Sequence, residues 1–252
     1  MSNSSRNPLT PAPNALSAFL RCEGRAGVLL DFDGTLSPIV VRPDLAQIRT
    51  GAPEALRRLV GRYALVAVIS GRTDAELHSL VRVPGVRLVG SYGLGETSLS
   101  PDVFDAVRSV AGSVTGARVE LKGASVAVHL RGVDDPDAAE AMLLASLSAI
   151  GEAHGLEVIP GKRVLELVPA GQPLKGGVVE RLATGAKLDA VIYAGDDLAD
   201  LRAFDALDRL AGAGVATVKV AVRGAETPTA LREAADIVVD GPADLVLLLN
   251  RL

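Results

Sequence analysis

Tryptophan is absent from this chain, aromatic residues occupy only 3% of its positions, and there is one cysteine. A lone Cys22 excludes an internal disulfide and agrees with a reducing compartment, so the cytoplasm is the expected location. The shortage of aromatic side chains removes the platforms on which nucleic-acid bases stack. Lys and Arg are dispersed with no basic block, and the net charge is −4. With a sequence pI near 5.5, this excludes a nucleic-acid partner. Long apolar runs are missing too. Ala64–Ile69 and Leu245–Leu249 fall far short of the roughly 20 residues of a membrane helix. The opening MSNSSRNPLTPAPN is polar and proline-rich, lacks the apolar core of a signal peptide, and is expected to be a flexible tail over residues 1–13.

What is present is apolar material, 48% of 252 residues, enough for one or two domains with a real core. Strand-length buried runs alternate with amphipathic helices at both ends of the chain. Gly27–Phe32, Leu65–Ile69 and Val86–Val89 read as strands, Pro53–Val60 as a helix, and Thr73 opens another helix in a capping box with Glu76. The rhythm returns with a helix over Lys175–Leu182, a strand over Ala190–Tyr193, and a helix over Leu198–Leu207. Strands over Thr217–Val222 and Ile237–Val239 and a helix over Asp244–Leu249 close it. This alternation predicts an α/β fold, a doubly wound parallel sheet of Rossmann type. The middle reads differently: a strand pair around Lys122-Gly123, a helix over Asp137–Ala153, and strands over Leu156–Ile159 and Arg163–Val168. The expected organisation is a core built from 24–97 and 173–252, interrupted by an inserted α+β lid over 98–172.

Chemistry concentrates where the parallel strands end, which is where open α/β sheets bind ligands. Asp31-Phe32-Asp33-Gly34-Thr35 follows the first strand. Asp31 can attack phosphorus, and Asp33 can protonate a leaving oxygen and then activate water. Gly34 lets the chain turn so that backbone N–H groups, with Thr35, face a phosphate. Alone, the motif could equally be an Asp-Gly turn. Ser70-Gly71-Arg72 ends the second strand, with Ser70 and Gly71 suited to a phosphate oxygen and Arg72 to the substrate. Lys175 opens a core helix and can offset charge on Asp31 and a phosphoryl group. Asp196, Asp197 and Asp200 follow the strand Ala190–Tyr193, and three acids in so short a stretch suit a hard cation such as Mg²⁺.

The order strand-DFDGT, strand-SGR, Lys, strand-GDDxxD resembles the haloacid dehalogenase-like (HAD) phosphatase superfamily. The finer text is similar to the trehalose-phosphate phosphatase family: DFDGTLSP at 31–38, SGR at 70–72, GSYG at 90–93, Lys122-Gly123 with His129-Leu130-Arg131, GKRVLELVP at 161–169, Lys175-Gly176, and GDDLADLRAF at 195–204. Tyr92 stands where that family often has His, Val168 where it has Arg, and Ala199 and Leu201 where it has Thr and Glu. The resemblance implies nucleophile Asp31, acid/base Asp33, phosphate ligands Ser70 and Lys175, and Mg²⁺ held by Asp31, the Asp33 carbonyl and Asp196. It implies trehalose 6-phosphate as substrate and a trehalose-phosphate synthase as a partner. Lys122, His129, Arg131, Lys162 and Glu166 are the lid candidates for sugar contact. Against that reading, His129 could be a satisfied strand histidine, Arg131 a solvated strand end, Lys122 a turn residue, and Lys162 with Glu166 an exposed pair. Three alternatives remain open: another sugar phosphate (glucosylglycerol phosphate, sucrose phosphate, a pseudo-trehalose phosphate), a receiver phosphorylated on Asp, or a retired enzyme regulating a synthase.

Overall fold

The computed structural model describes residues 15–95 and 98–252, so the expected tail over 1–13 lies outside the described residues. The strands in chain order are β1 (Ala26–Leu30), β2 (Leu65–Ile69), β3 (Arg87–Val89), β4 (Arg118–Lys122), β5 (Ser125–His129), β6 (Leu156–Gly161), β7 (Val164–Pro169), β8 (Ala190–Gly195), β9 (Ala216–Arg223) and β10 (Ile237–Asp240). The helices are α1 (Ala15–Leu20), α2 (Ala52–Val60), α3 (Asp74–Val81), α4 (Pro101–Ala111), α5 (Pro136–His154), α6 (Leu174–Gly185), α7 (Leu198–Gly212), α8 (Thr229–Ala234) and α9 (Gly241–Leu249).

The first sheet is wholly parallel, in the order β10-β9-β8-β1-β2-β3. Successive strand residues point to opposite faces. Val28 and Leu30 therefore join one core with Leu56, Leu77 and Leu245 from α2, α3 and α9. Leu29 joins the other, with Val179, Phe204 and Leu231 from α6, α7 and α8. This is the doubly wound α/β core that the sequence predicts. β1 lies between β2 and β8, so connections leave it in both directions and a crevice opens at its carboxyl end.

The second sheet is antiparallel, β4-β5-β7-β6, and falls between the two halves of the first. Val126, Val128, Leu165 and Leu167 form its core with Val103 and Val107 of α4 and Leu143 and Leu147 of α5. Its opposite face carries Ser125, His129 and Glu166 toward the crevice.

Element boundaries move in instructive ways. β1 stops at Leu30 instead of reaching Phe32, because the Phe32 carbonyl turns to accept the N–H groups of Thr35, Leu36 and Ser37. Asp31 is thereby the first residue past the strand, still tied to β8 by its N–H to the Ala194 carbonyl (2.9 Å). α4 answers to no expected element, yet its apolar residues Val103, Val107 and Ala111 recur four apart, with Pro101 in the first turn. The capping box of α3 forms as read: Thr73 Oγ1 accepts from the Glu76 N–H (3.3 Å), and Glu76 accepts from the Thr73 N–H (2.9 Å).

Candidate active site

At the carboxyl end of β1 lies a cavity of about 370 Å³, floored by Asp31, Ser70, Lys175 and Asp196 and roofed by the second sheet. This is the size of a small-molecule pocket. Asp31 is 4% exposed and Lys175, from the first turn of α6, equally so. Lys175 Nζ donates to Asp31 Oδ1 (2.7 Å) and to Asp200 Oδ1 (2.6 Å). One ammonium thus serves two buried carboxylates, and the imbalance falls on Asp31. Burial pushes its carboxyl up to about 7, with Lys175 opposing the rise and Asp200 adding to it. Burial alone would lower Lys175, but the attraction of Asp200 and Asp31 outweighs that cost and holds it above its usual range.

Asp200 is the hub beneath this pair. Besides Lys175 it accepts from the Tyr193 hydroxyl (2.6 Å) and from the N–H groups of Asp196 (2.8 Å) and Asp197 (2.9 Å). Those bonds occupy both its oxygens and fix the turn that leads into α7. Asp197 caps α7 at the Leu198 N–H (2.7 Å), and burial raises its carboxyl. Asp196 faces the cavity, contacted by Lys162 from the β6–β7 turn and by the Thr35 hydroxyl at 3.5 Å. Gly34, at φ +80°, passes against that carboxylate where any Cβ would collide with it. Thr35 is fully buried and points at Asp196, beneath the cavity wall.

Oxygens of Asp31, Asp196 and Asp200 lie within 4.8 Å of one another, all buried. An all-oxygen set with more carboxylates than ammonium groups suits Mg²⁺. Among the described residues, Asp31 keeps Oδ2 without a donor and Asp196 has one donor on each oxygen, whereas each oxygen of Asp200 already takes two.

Arg72 holds Asp33 in a two-pronged ion pair, Nε to Oδ2 at 2.7 Å and Nη2 to Oδ1 at 2.8 Å. Its third contact is the Pro43 carbonyl (3.1 Å), and its backbone N–H reaches Ser70 Oγ (3.2 Å). Arg72 therefore acts first on Asp33, an arrangement the sequence does not announce. The lid candidates fall into two groups. Glu166, 3% exposed, accepts from Ser125 Oγ (2.7 Å) and the Tyr92 hydroxyl (3.1 Å), with Lys122 Nζ at 3.9 Å. His129 Nε2 donates to Glu120 Oε2 (2.6 Å), and that bond draws the Glu120 carboxyl below its ordinary value. Arg131 instead pairs with Glu226 of the core (3.1 and 3.3 Å) and with the Lys162 carbonyl (3.1 Å). Glu166 is buried, Lys162 is half-buried, and they bond to different partners, so the exposed-pair reading fails. Glu120 and Glu226 are additions from the structure, and Tyr92, noted in the sequence only as a departure from the family's usual His, joins them. Of the two additions only Glu120 had a sequence signal, since it lies two residues before Lys122 on the same strand face.

Solved structures share this fold. A haloacid dehalogenase-like hydrolase from Bacteroides thetaiotaomicron aligns with a TM-score of 0.63, at 16% identity, over 90% of this chain and 98% of that one. The C-terminal domain of Candida albicans trehalose-6-phosphate phosphatase aligns with a TM-score of 0.81, at 22% identity, over 97% of this chain and 98% of that chain. The fold is therefore the one seen in haloacid dehalogenase-like hydrolases. Among curated relatives, the trehalose-phosphate phosphatase of Mycobacterium avium is 37% identical over 73% of this chain, and that of Mycobacterium marinum 34% identical over 79%. A Mycobacterium tuberculosis protein described as an uncharacterized glycosyl hydrolase is 38% identical over 82% of this chain. The chain spans 17% of that last protein, and 53% and 57% of the two phosphatases. The trehalose-phosphatase family model matches residues 29–236, and the chain belongs to that family.

Proposed function

We propose that this chain is a Mg²⁺-dependent phosphatase that releases phosphate from trehalose 6-phosphate through an aspartyl phosphate on Asp31. The observation that carries the reading is Asp31 itself, a buried carboxylate paired to Lys175 on the floor of a cavity whose roof is polar. The named relatives at 34% and 37% identity support the sugar. In this reading the core is 24–97 with 173–252, and the lid is 98–172.

An oxygen of Asp31 attacks phosphorus while the leaving sugar oxygen takes a proton from Asp33. Asp33 then removes a proton from water, whose oxygen attacks the phosphorus of the aspartyl phosphate, freeing phosphate and restoring Asp31. Ser70 and Lys175 orient the phosphoryl oxygens, whereas Gly34 and Thr35, expected from the sequence to face phosphate, spend their N–H groups on the Ser37 and Phe32 carbonyls. Arg72 sets the direction of the Asp33 carboxyl. Asp31, Asp196 and the Asp33 carbonyl would hold Mg²⁺, whose positive charge would offset that of the phosphoryl group. Asp200 keeps Lys175 and the 196–197 turn in place. Lys122, His129, Glu120 and Glu166 offer hydrogen bonds to a sugar, which only a hydroxyl-rich substrate satisfies. A chain with one cysteine suits the cytoplasm, and a trehalose-phosphate synthase is the expected source of substrate.

Phosphate release from trehalose 6-phosphate, with Mg²⁺ and with chelator, tests this beside glucose 6-phosphate, sucrose phosphate and glucosylglycerol phosphate. The expected result is metal-dependent preference for trehalose 6-phosphate. Metal-dependent preference for another substrate refutes the sugar and keeps the chemistry. Inactivity on all four overturns both and favours a regulatory role.

A further inference from the structure

Two consecutive residues after β3 adopt left-handed backbone conformations without being glycine, Ser91 (φ 47°) and Tyr92 (φ 51°). Such geometry is held only where surrounding contacts over-determine it, and it clusters at working sites. The contacts are clear here. The Ser91 N–H donates to the Arg72 carbonyl (2.7 Å) and the Tyr92 N–H to the Ser70 carbonyl (3.0 Å). The phenol ring then fills the space left by the missing side chain of Gly71, where a Cβ would stand 2.5 Å from the ring. The Ser70–Arg72 loop and Tyr92 thus form one unit, and its free end is a hydroxyl that donates to Glu166 across the gap to the second sheet.

Glu166 depends on that bond for its direction. Ser125 satisfies Oε1, the Tyr92 hydroxyl satisfies Oε2, and Lys122 stands off at 3.9 Å. With one donor on each oxygen, Glu166 keeps accepting capacity where it lines the cavity. Burial and the adjacent Glu166 hold the Tyr92 phenol above its ordinary range, so it remains a donor.

We propose that Tyr92 is a specificity-positioning residue. Its hydroxyl ties the loop that receives phosphate to the lid carboxylate that receives sugar, and so sets the spacing between the two halves of the substrate. The inference rests on the sugar-phosphate reading of the site.

The test is steady-state kinetics of the full chain with Mg²⁺ on trehalose 6-phosphate and on p-nitrophenyl phosphate, which carries no sugar. The variants are Y92F, E166Q and Y92F/E166Q. Y92F is expected to raise KM for trehalose 6-phosphate about tenfold with little change in kcat, lowering the sugar-to-aryl ratio of kcat/KM by the same factor. In the E166Q background, adding Y92F lowers that ratio no further. An unchanged ratio in Y92F, including equal losses on both substrates, overturns the proposal, as does a further tenfold loss in the double variant. A wild-type enzyme with no preference for the sugar phosphate sinks the functional reading and this inference with it. A selective wild type with an equally selective Y92F sinks the inference alone.

Discussion

Replacing Asp31 with asparagine tests the electrostatics of the floor before any substrate is added. In the folded chain the Asp31 carboxyl sits near 7, against 3.8 for the ordinary group. A folded value above the unfolded one means the native state binds the proton more tightly, so the stabilising contribution is complete below about pH 4 and is lost as pH rises through 7. Three pH units at about 1.4 kcal/mol each amount to roughly 4 kcal/mol. The amide of the Asp31→Asn variant cannot ionise and has no such slope. Groups away from the floor are shared by the two proteins, so the wild-type-minus-variant difference reports Asp31 together with the Lys175 and Asp200 charges it faces. In chelator, thermal unfolding of both is followed by circular dichroism from pH 4.5 to 8. The variant should gain on wild type as pH rises, until it is ahead by roughly 10 °C, at about 2–4 °C per kcal/mol for a chain of this size. Mg²⁺ at pH 8 should then stabilise wild type, by about 2.7 kcal/mol at a hundredfold excess over its dissociation constant, and the variant far less. A difference that stays flat, or that favours wild type more at high pH, refutes the assignment of an uncompensated buried charge to Asp31.

Two further predictions concern its neighbours. Asp33→Asn should slow turnover of trehalose 6-phosphate by about 10²- to 10⁴-fold. With p-nitrophenyl phosphate, whose leaving group needs no proton, rapid-quench experiments should still show a burst of one equivalent followed by slow release, and absence of the burst would count against the two-step role of Asp33. Gly34→Ala places a Cβ against the Asp196 carboxylate at a backbone angle of +80°. That strain costs about 1–2 kcal/mol in the backbone alone, and calorimetric titration should show at least tenfold weaker Mg²⁺ binding; unchanged affinity would remove Asp196 from the cation site.

Sequence reading reached the floor of the site and faltered at its roof. Asp31, Ser70, Lys175 and Asp196 follow strands or open helices whose hydrophobic periods are strong, and such positions converge in any doubly wound sheet. Asp200 also came forward as an acid of the right cluster. What the pattern could not convey is that four donors already hold it, because saturation is a property of three-dimensional neighbours. Arg72 likewise looked like a substrate ligand, but its bidentate hold on Asp33 joins residues 39 positions apart. Tyr92 stood out only as a departure from the family's usual His, and its reach to Glu166 is set by the loops around it. α4, by contrast, is legible in the four-residue spacing of Val103, Val107 and Ala111.

The position of β1 between β2 and β8 has a consequence for the making of the protein. Ala26–Leu30 pairs with Ala190–Ala194, so the central strand waits for a neighbour about 164 residues downstream. A nascent chain that has emerged only through residue 172 has Asp31 and Asp33 but neither Lys175 nor Asp196, and one long edge of β1 is open to whatever strand arrives first. The candidate site is thus incomplete for as long as that edge of β1 is unpaired. Docking of Ala190–Gly195 closes that edge of β1 and brings Asp196 to the candidate site, and the open edge then passes to β8 until β9 pairs with it.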